Sequence, residues 1–179
     1  RVPLLDGTTP RIADLVDKGD VWVYSARPDG TIAPGLGRAR LTKCVRDVVD
    51  VTLDDGRVVR CTPEHLWMLR NGTYKEAQAL LPAVDRLMPL RRNWPINGGY
   101  ERVSDAHGTR TLTHRLVCEA MCGPIPAGWL VHHRNGVKLD NRPENVEMQP
   151  LAQHARHHAT ARHASDPDWR ARQVEGTRR

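Results

Sequence analysis

Short stretches of alternating apolar and polar residues, separated by turn residues, fill the first half of the chain. This period of two is typical of half-buried β-strands. Three Asp-Gly dipeptides mark turns between such stretches: Asp6-Gly7, Asp29-Gly30 and Asp55-Gly56. We predict a β-rich region over residues 1–91, with its clearest hairpin at residues 48–61, where two β-branched runs flank a turn. Two short helices are predicted to interrupt it, at Arg11–Asp17 and Tyr74–Leu81.

The pattern changes at residues 91–99, where a proline and two adjacent glycines should interrupt any regular element. We predict a domain boundary there. The elements predicted after it are a hairpin over Tyr100–Thr113 that turns near His107-Gly108, a helix over His114–Met121, a short strand over Trp129–Val131, and a helix from about Pro150 or Leu151 to His163. The fold class is therefore α+β, with a β-rich domain at 1–91, a second domain at 92–165 and a basic tail at 166–179.

Composition adds a partner class to this outline. The 179 residues carry a formal net charge of +6, and all but four of the 27 basic residues are arginine, which pairs with phosphate in a bidentate way. A polyanion is one explanation, and a genome rich in arginine codons is the other; composition alone does not separate them. Four cysteines without a regular framework, and no apolar run of membrane-spanning length, predict a soluble, cytoplasmic protein in a reducing compartment.

Histidines dominate the chemistry of the second half, which holds eight of the nine. His154 and His158 stand four residues apart, so on a helix their imidazoles share one face and can bind one ion. His132, at the end of the predicted strand, would join them. Two or three histidines around a cation leave positions open, as a catalytic ion requires. Imidazole suits Zn²⁺, Ni²⁺, Co²⁺ or Mn²⁺, while Mg²⁺ prefers oxygen, so the ion stays open.

His133 is predicted to do different work. Neighbours in an extended segment point to opposite faces, so His133 cannot easily bind the ion of His132. Because imidazole accepts protons near neutral pH, we predict it to be the general base for hydrolysis of a phosphodiester. Three arginines, Arg134, Arg142 and Arg156, are expected to contact phosphate.

Two asparagines, Asn141 and Asn145, lie between the histidine groups. An asparagine there can tie the loop to the strand through side-chain-to-backbone hydrogen bonds and so keep His133 aimed at phosphate. Asn141 is equally well explained as an ordinary turn residue.

Several short segments follow one another in order: Leu112-Thr-His-Arg-Leu-Val117, Gly-Pro-Ile-Pro, Val-His-His, Asn-Arg-Pro-Glu-Asn and a final histidine. Taken together, they resemble the HNH endonucleases, especially homing endonucleases of phages, introns and inteins. The resemblance covers roughly 65 residues. It implies a ββα-metal fold, double-stranded DNA as substrate, and Mg²⁺ or Mn²⁺ as the working ion, with Zn²⁺ or Ni²⁺ as alternatives. The implied roles are these: His132 and His154 bind metal, with His158 a third candidate; His133 is the base; Asn145 is the central asparagine that supports it; and His114 is structural or faces phosphate. The oligomeric state is not implied.

Two explanations without catalysis compete with this one. Scattered histidines on a helix and a surface loop would need no function. Cys118 and Cys122 could also belong to a structural zinc site, but their CxxxC spacing differs from the CxxC of a zinc knuckle. Two buried apolar cysteines are the expected outcome.

The first half resembles the amino-terminal part of Hint domains, the β-fold of inteins and hedgehog-type autoprocessing proteins. The segments that carry the resemblance are Val2-Pro-Leu-Leu-Asp-Gly-Thr-Thr, Ile12-Ala-Asp-Leu-Val, Gly56 to Met68, and Asp85-Arg-Leu-Met-Pro-Leu. The resemblance implies that Thr62 and His65 polarise the peptide bond at an upstream splice junction. Splicing also needs a Cys or Ser nucleophile, and Arg1 is neither, so the chain as given is not expected to splice. An intein fragment with a decayed nuclease is the alternative function, and a non-catalytic DNA-binding module is a third.

Overall fold

The computed structural model describes residues 1–154 except residues 43 and 45. Over these residues the fold is mixed, with many short strands and few helices. None of the described helices is long and apolar enough to cross a membrane. The strands are β1 (Asp20–Ala26), β2 (Ile32–Arg38), β3 (Val49–Thr52), β4 (Val58–Cys61), β5 (Leu66–Met68), β6 (Tyr74–Glu76), β7 (Arg91–Ile96), β8 (Tyr100–Ser104), β9 (Arg110–Leu112), β10 (Trp129–His133) and β11 (Val146–Pro150). The α-helix α1 is Thr113–Cys122, three 3-10 helices cover Ile12–Leu15, Ala77–Ala79 and Asn97–Gly99, and residues 151–154 are helical.

Antiparallel hairpins build the first half: β1 pairs with β2, β3 with β4, and β5 with β6. The predicted hairpin at residues 48–61 is confirmed, with Val49 opposite Cys61 and Thr52 opposite Val58. Side-chain capping closes the turn between β1 and β2, where Asp29 Oδ1 accepts hydrogen bonds from Thr31 N at 2.9 Å and Thr31 Oγ1 at 2.7 Å. The turn residues therefore determined these hairpins locally.

Both helices predicted in the first half need correction. The first is reduced to the 3-10 helix Ile12–Leu15. Most of the second is not helical: Tyr74–Glu76 is strand β6, paired with β5, and only Ala77–Ala79 form a 3-10 turn. Cross-strand pairing with Leu66–Met68 satisfies the backbone of this segment and overrides its helical spacing of apolar residues.

The second half begins with a three-stranded sheet in the order β7-β8-β9. The hairpin predicted over residues 100–113 and the helix predicted over 114–121 are both confirmed. The expectation that residues 91–99 contain no regular element was wrong, because Arg91–Ile96 pair with β8 as strand β7. The register shifts between Asn93 and Ile96, and this irregularity accommodates Pro95, which has no N–H to donate.

One apolar core joins residues from both sides of the predicted boundary. Leu5 is fully buried together with Val117, Cys118, Val131 and Val146. Burial of each such side chain contributes about 1.5–3 kcal/mol. Because Leu5 comes from the amino-terminal segment and the other four from α1, β10 and β11, a boundary at residues 91–92 does not divide the molecule into two separate cores.

Candidate functional site

The hairpin of β10 and β11 places the paired histidines. β10 ends at His133, which lies opposite Val146, while His132 lies opposite Glu147. The ladder continues one step further, since Arg134 N donates to Asn145 O at 2.8 Å. Successive side chains of a strand point to opposite faces, so the two histidines meet different neighbours.

His132 meets His154 on one face of the hairpin. The ring centroids lie 5.3 Å apart, with an angle of 76° between the ring planes. His154 reaches this position because a helical turn, residues 151–154, follows directly on β11, and Leu151 N donates to Gly128 O at 2.9 Å. Two imidazoles from separate segments therefore lie next to each other on this face of the hairpin.

The carboxylate nearest in register to this pair already has partners. Glu147 accepts hydrogen bonds from Arg134 Nε at 2.8 Å and from Gln149 Nε2 at 2.5 Å. Within the described part of the chain, no group of three or more His, Cys, Asp or Glu side chains is arranged to hold a metal. The described site thus offers two imidazole donors, and a third would have to come from elsewhere. The other predicted ligand, His158, and the predicted phosphate contact Arg156 lie outside the described residues.

His133 packs on the opposite face and is only 5% exposed. Its ring centroid lies 5.2 Å from that of His114 and 6.0 Å from that of Tyr100. Its Nε2 lies 3.2 Å from Asn141 Oδ1. Burial lowers the pKa of His133, an effect that the bond to Asn141 opposes. The predicted base is thus a neutral, packed imidazole and not a side chain in an open cleft.

Asn141 decides which nitrogen of His133 carries the proton. Its Nδ2 donates to Leu139 O at 3.1 Å, so its Oδ1 is the atom that faces the ring. An amide oxygen only accepts, and therefore the N–H of His133 must be at Nε2. The lone pair then lies on Nδ1, the nitrogen that would take a proton from water.

Asn141 and Asn145 make different contacts in the loop between β10 and β11. Asn145 Oδ1 accepts from Asn135 N at 3.0 Å, and its Nδ2 donates to Asp140 O at 2.6 Å. It thereby ties the two ends of the loop through the backbone. Asn141, fully buried, is the asparagine that contacts His133. The alternative of an ordinary turn residue does not describe Asn141, and its importance was underestimated from the sequence.

Arg142, predicted to contact phosphate, is paired with Asp140 within the loop. Its Nε and Nη2 each donate to a different oxygen of Asp140 at 2.8 Å. The hydrogen bonds from Arg142 lower the pKa of the Asp140 carboxyl, which is 5% exposed. Asn135 Nδ2 also donates to Asp140 at 2.8 Å. Arg142, whose side chain is 42% exposed, thus pairs with the buried Asp140 carboxylate and supports the loop, and its phosphate contact stays a prediction.

Of two other residues predicted to contact DNA, His114 is buried and Arg134 is exposed. His114 is 6% exposed, and its Nδ1 is buried with no hydrogen-bond partner among the described residues. Burial, and then the neighbouring charges of His133 and Arg115, lowers the pKa of His114 to about 4. Such a side chain cannot reach a phosphate, so the structural alternative fits. The Arg134 side chain is 60% exposed, but its Nε is engaged by Glu147.

The other residues singled out from the sequence are Thr62, His65 and the cysteines. Thr62 and His65 form a tight turn before β5, where His65 N donates to Thr62 O at 3.0 Å and the His65 side chain is exposed. All four cysteines are free, and of the pair expected to be buried only Cys118 is; Cys122 is exposed. Burial raises the pKa of the Cys118 thiol to about 11.

Comparison with known proteins places this site in a family context. Residues 111–156 match the HNH endonuclease family. The matched segment, about a quarter of the chain, begins in β9 and contains α1, β10, β11 and the three described site histidines, His132, His133 and His154. This part of the chain therefore carries an HNH nuclease signature.

A curated relative aligns with nearly the whole chain. This relative, a DNA gyrase subunit of Synechocystis sp., is 30% identical over 203 aligned positions, which cover 97% of this chain. The chain spans only 18% of the length of that gyrase subunit, so the similarity is to one segment of a much longer protein.

Proposed function

We propose that the protein is a metal-dependent endonuclease that hydrolyses phosphodiester bonds of double-stranded DNA. The observation that carries this proposal is the contact between the rings of His132 and His154, 5.3 Å apart, inside the segment that matches the HNH endonucleases. The buried imidazole of His133 follows directly on His132, as a base beside a metal site would.

His132 and His154 fit a divalent cation as two nitrogen donors, with His158 as the proposed third. A bound cation would supply a Lewis acid that stabilises negative charge on the scissile phosphate and on the leaving oxygen. Mg²⁺ or Mn²⁺ is the proposed working ion, with Zn²⁺ or Ni²⁺ as alternatives that imidazole ligands favour.

Side chains of this protein would orient His133 and keep its ring neutral. Asn141 holds the N–H of His133 at Nε2, so that Nδ1 keeps its lone pair for a proton of the attacking water. Burial favours the neutral ring, which is the form that can accept this proton. Asn145 closes the loop that carries Asn141, and the pair of Asp140 and Arg142 stiffens it. Because His133 is 5% exposed, only a narrow edge of the ring would meet the water.

A plasmid assay tests the proposal. Supercoiled DNA is incubated with the protein and Mg²⁺, Mn²⁺, Ni²⁺, Zn²⁺ or EDTA, and nicked and linear products are measured. We expect cleavage with at least one cation and none with EDTA. His154→Ala should weaken metal uptake, measured by calorimetry, and lower cleavage. His65→Ala removes an exposed histidine far along the chain and should change neither. DNA binding that is independent of metal, without any cleavage, would instead identify a non-catalytic DNA-binding module.

Autoprocessing at an upstream junction, with Thr62 and His65 as the residues that would polarise the peptide bond, is the second candidate. The similarity to one segment of a gyrase subunit fits a unit carried within a longer protein. The test is to express the chain with its natural flanking residues and to search for thiol-induced cleavage at the upstream junction. Thr62→Ala and His65→Ala should suppress that cleavage; no cleavage at the junction in the parent protein would refute the candidate.

A further inference from the structure

The amino-terminal turn Leu4–Gly7 lies directly on the loop of the candidate nuclease site. Leu5 O accepts a hydrogen bond from Asn141 N at 2.6 Å, and Leu5 N donates to Trp22 O at 2.9 Å. The Leu5 side chain is fully buried in the core beneath α1, β10 and β11. A residue from the start of the chain thus connects β1 to the asparagine that orients His133.

Gly7 brings the same turn against the loop by a close backbone approach. Its φ is +87°, and a Cβ built on it would lie 3.0 Å from both Leu139 Cβ and Leu139 O. Leu139 O in turn accepts from both Asn141 N at 3.2 Å and Asn141 Nδ2 at 3.1 Å. Any side chain at residue 7 would therefore push against the carbonyl that holds Asn141 in place.

We propose that the turn Leu4–Gly7 is a positioning element of the nuclease site, which holds Asn141 from behind and thereby sets the tautomer and direction of His133. This inference rests on the proposed function. It extends the site beyond the segment that matches the HNH family, since residues 4–7 lie more than a hundred residues before that segment.

Asn141 depends on this turn for its position because few other contacts hold it. Its side chain is fully buried and uses one end to orient His133 and the other to bond Leu139 O. Its backbone N–H is directed at Leu5 O by the shortest of the backbone contacts around the loop. A shift of the turn would leave that buried N–H weakly bonded, which costs roughly 1–3 kcal/mol unless the loop moves with it.

Gly7→Ala is the direct test, and Gly19→Ala is its matched control. Both glycines have a positive φ, +87° and +81°, but nothing lies within 4 Å of a Cβ at Gly19. Both variants therefore place an alanine at a positive φ, and only Gly7→Ala presses on Leu139. In single-turnover assays at saturating DNA and metal, we expect Gly7→Ala to lower the cleavage rate constant by about 10- to 100-fold, since small misplacements of catalytic groups have effects of this size. DNA and metal affinities should stay within about twofold, and Gly19→Ala should cleave like the parent.

A spectroscopic measurement separates positioning from general loss of structure. Nitrogen-15 NMR of the histidine rings reports which nitrogen carries the proton. We expect His133 to be protonated at Nε2 in the parent protein and in Gly19→Ala, and to become a mixture of tautomers in Gly7→Ala. This readout needs no DNA, so it tests the link even if the parent protein cuts nothing, an outcome that would refute the proposed function alone.

Unchanged cleavage together with unchanged His133 nitrogen shifts in Gly7→Ala would overturn the inference. If Gly7→Ala does not fold, hydrogen exchange in the parent protein decides. The Asn141 amide should then exchange as slowly as the Leu5 amide, and exchange at the rate of an unprotected amide would overturn the inference as well.

Discussion

Two regions of the molecule contrast with each other: one buries many polar side chains, and the other exposes many large apolar side chains. All ten buried polar residues of the described chain fall between Glu101 and Gln149, where the candidate site lies. Most of the large exposed apolar side chains, in contrast, fall in the hairpin region between Leu36 and Val84. Leu41 is 77% and Val84 is 69% exposed there.

This difference shows where the fold buries polar groups at a cost in stability. A polar group costs free energy when it is buried, unless it finds hydrogen-bond partners. The site offsets part of this cost with a hydrogen-bond network that pairs the side chains of Asn141, Asn145 and Asp140. Buried side-chain atoms of Thr113, His114 and Gln149 have no partner among the described residues. The hairpin region buries no polar side chain among its described residues, and nine of its large apolar side chains are exposed. The first region holds its polar groups in place through hydrogen bonds, while the second is built from hairpins with exposed apolar side chains.

The largest expected effect comes from removing the buried base. His133→Ala should lower the rate of DNA cleavage by roughly 10²–10⁴-fold, the usual contribution of a general base, while DNA affinity stays close to that of the parent. His65→Ala, the exposed histidine of the hairpin region, serves as the control. Rates are measured on plasmid DNA and affinities by fluorescence anisotropy. Cleavage by His133→Ala at the parent rate would remove His133 from the base role.

Replacing one leucine in each region by alanine compares what a core side chain and an exposed side chain contribute to the free energy of unfolding. Leu5→Ala leaves a cavity in the shared core and should lower the free energy of unfolding by about 2–5 kcal/mol. Leu66→Ala removes a side chain that is 58% exposed, and a change within about 0.5 kcal/mol is expected. Urea unfolding followed by circular dichroism measures both. Equal losses in the two variants would mean that the hairpin region is as tightly packed as the site.

Acid should destabilise the site region through His114. Its folded-state pKa of about 4 lies below the ordinary value of 6.5, so the unfolded chain binds more protons between these two values. The free energy of unfolding therefore falls as the pH drops from 6.5 to 4, by up to about 3 kcal/mol from this group. Urea unfolding across this range measures the slope. His114→Gln should flatten it, and an unchanged slope in that variant would contradict the assignment.

Two arginine–aspartate pairs of similar geometry should differ in strength. Arg142 bonds Asp140, which is 5% exposed, while Arg60 bonds Asp50 on the surface of the β3–β4 hairpin. Arg142→Ala should cost roughly 1–3 kcal/mol because it leaves a buried carboxylate unpaired, with the lower end favoured because the arginine itself is partly exposed. Arg60→Ala should change the unfolding free energy very little. If thermal unfolding shows the reverse order, burial does not set the strength of these pairs.

Several features of the site could be predicted because they follow local rules. The strand that ends in His132 and His133, the opposite directions of these two side chains, and the arrival of His154 from a following helical turn all depend on spacing along a short stretch of chain. The hairpin around Asp55-Gly56 depends on turn residues in the same way. The failure at Tyr74–Leu81 shows the limit of such rules, because pairing with a neighbouring strand outweighed a helical pattern.

The sequence by itself therefore determined the turns, helix α1 and the histidine pair that alternates across a strand, since backbone geometry and side-chain period act over a few residues. Only the tertiary structure decided that Asn141 contacts His133, that His114 is buried, and that Leu5 and Gly7 lie against the loop. Each of these contacts depends on which surfaces meet once the core around Leu5 has formed, and no local pattern of residues indicates that meeting in advance.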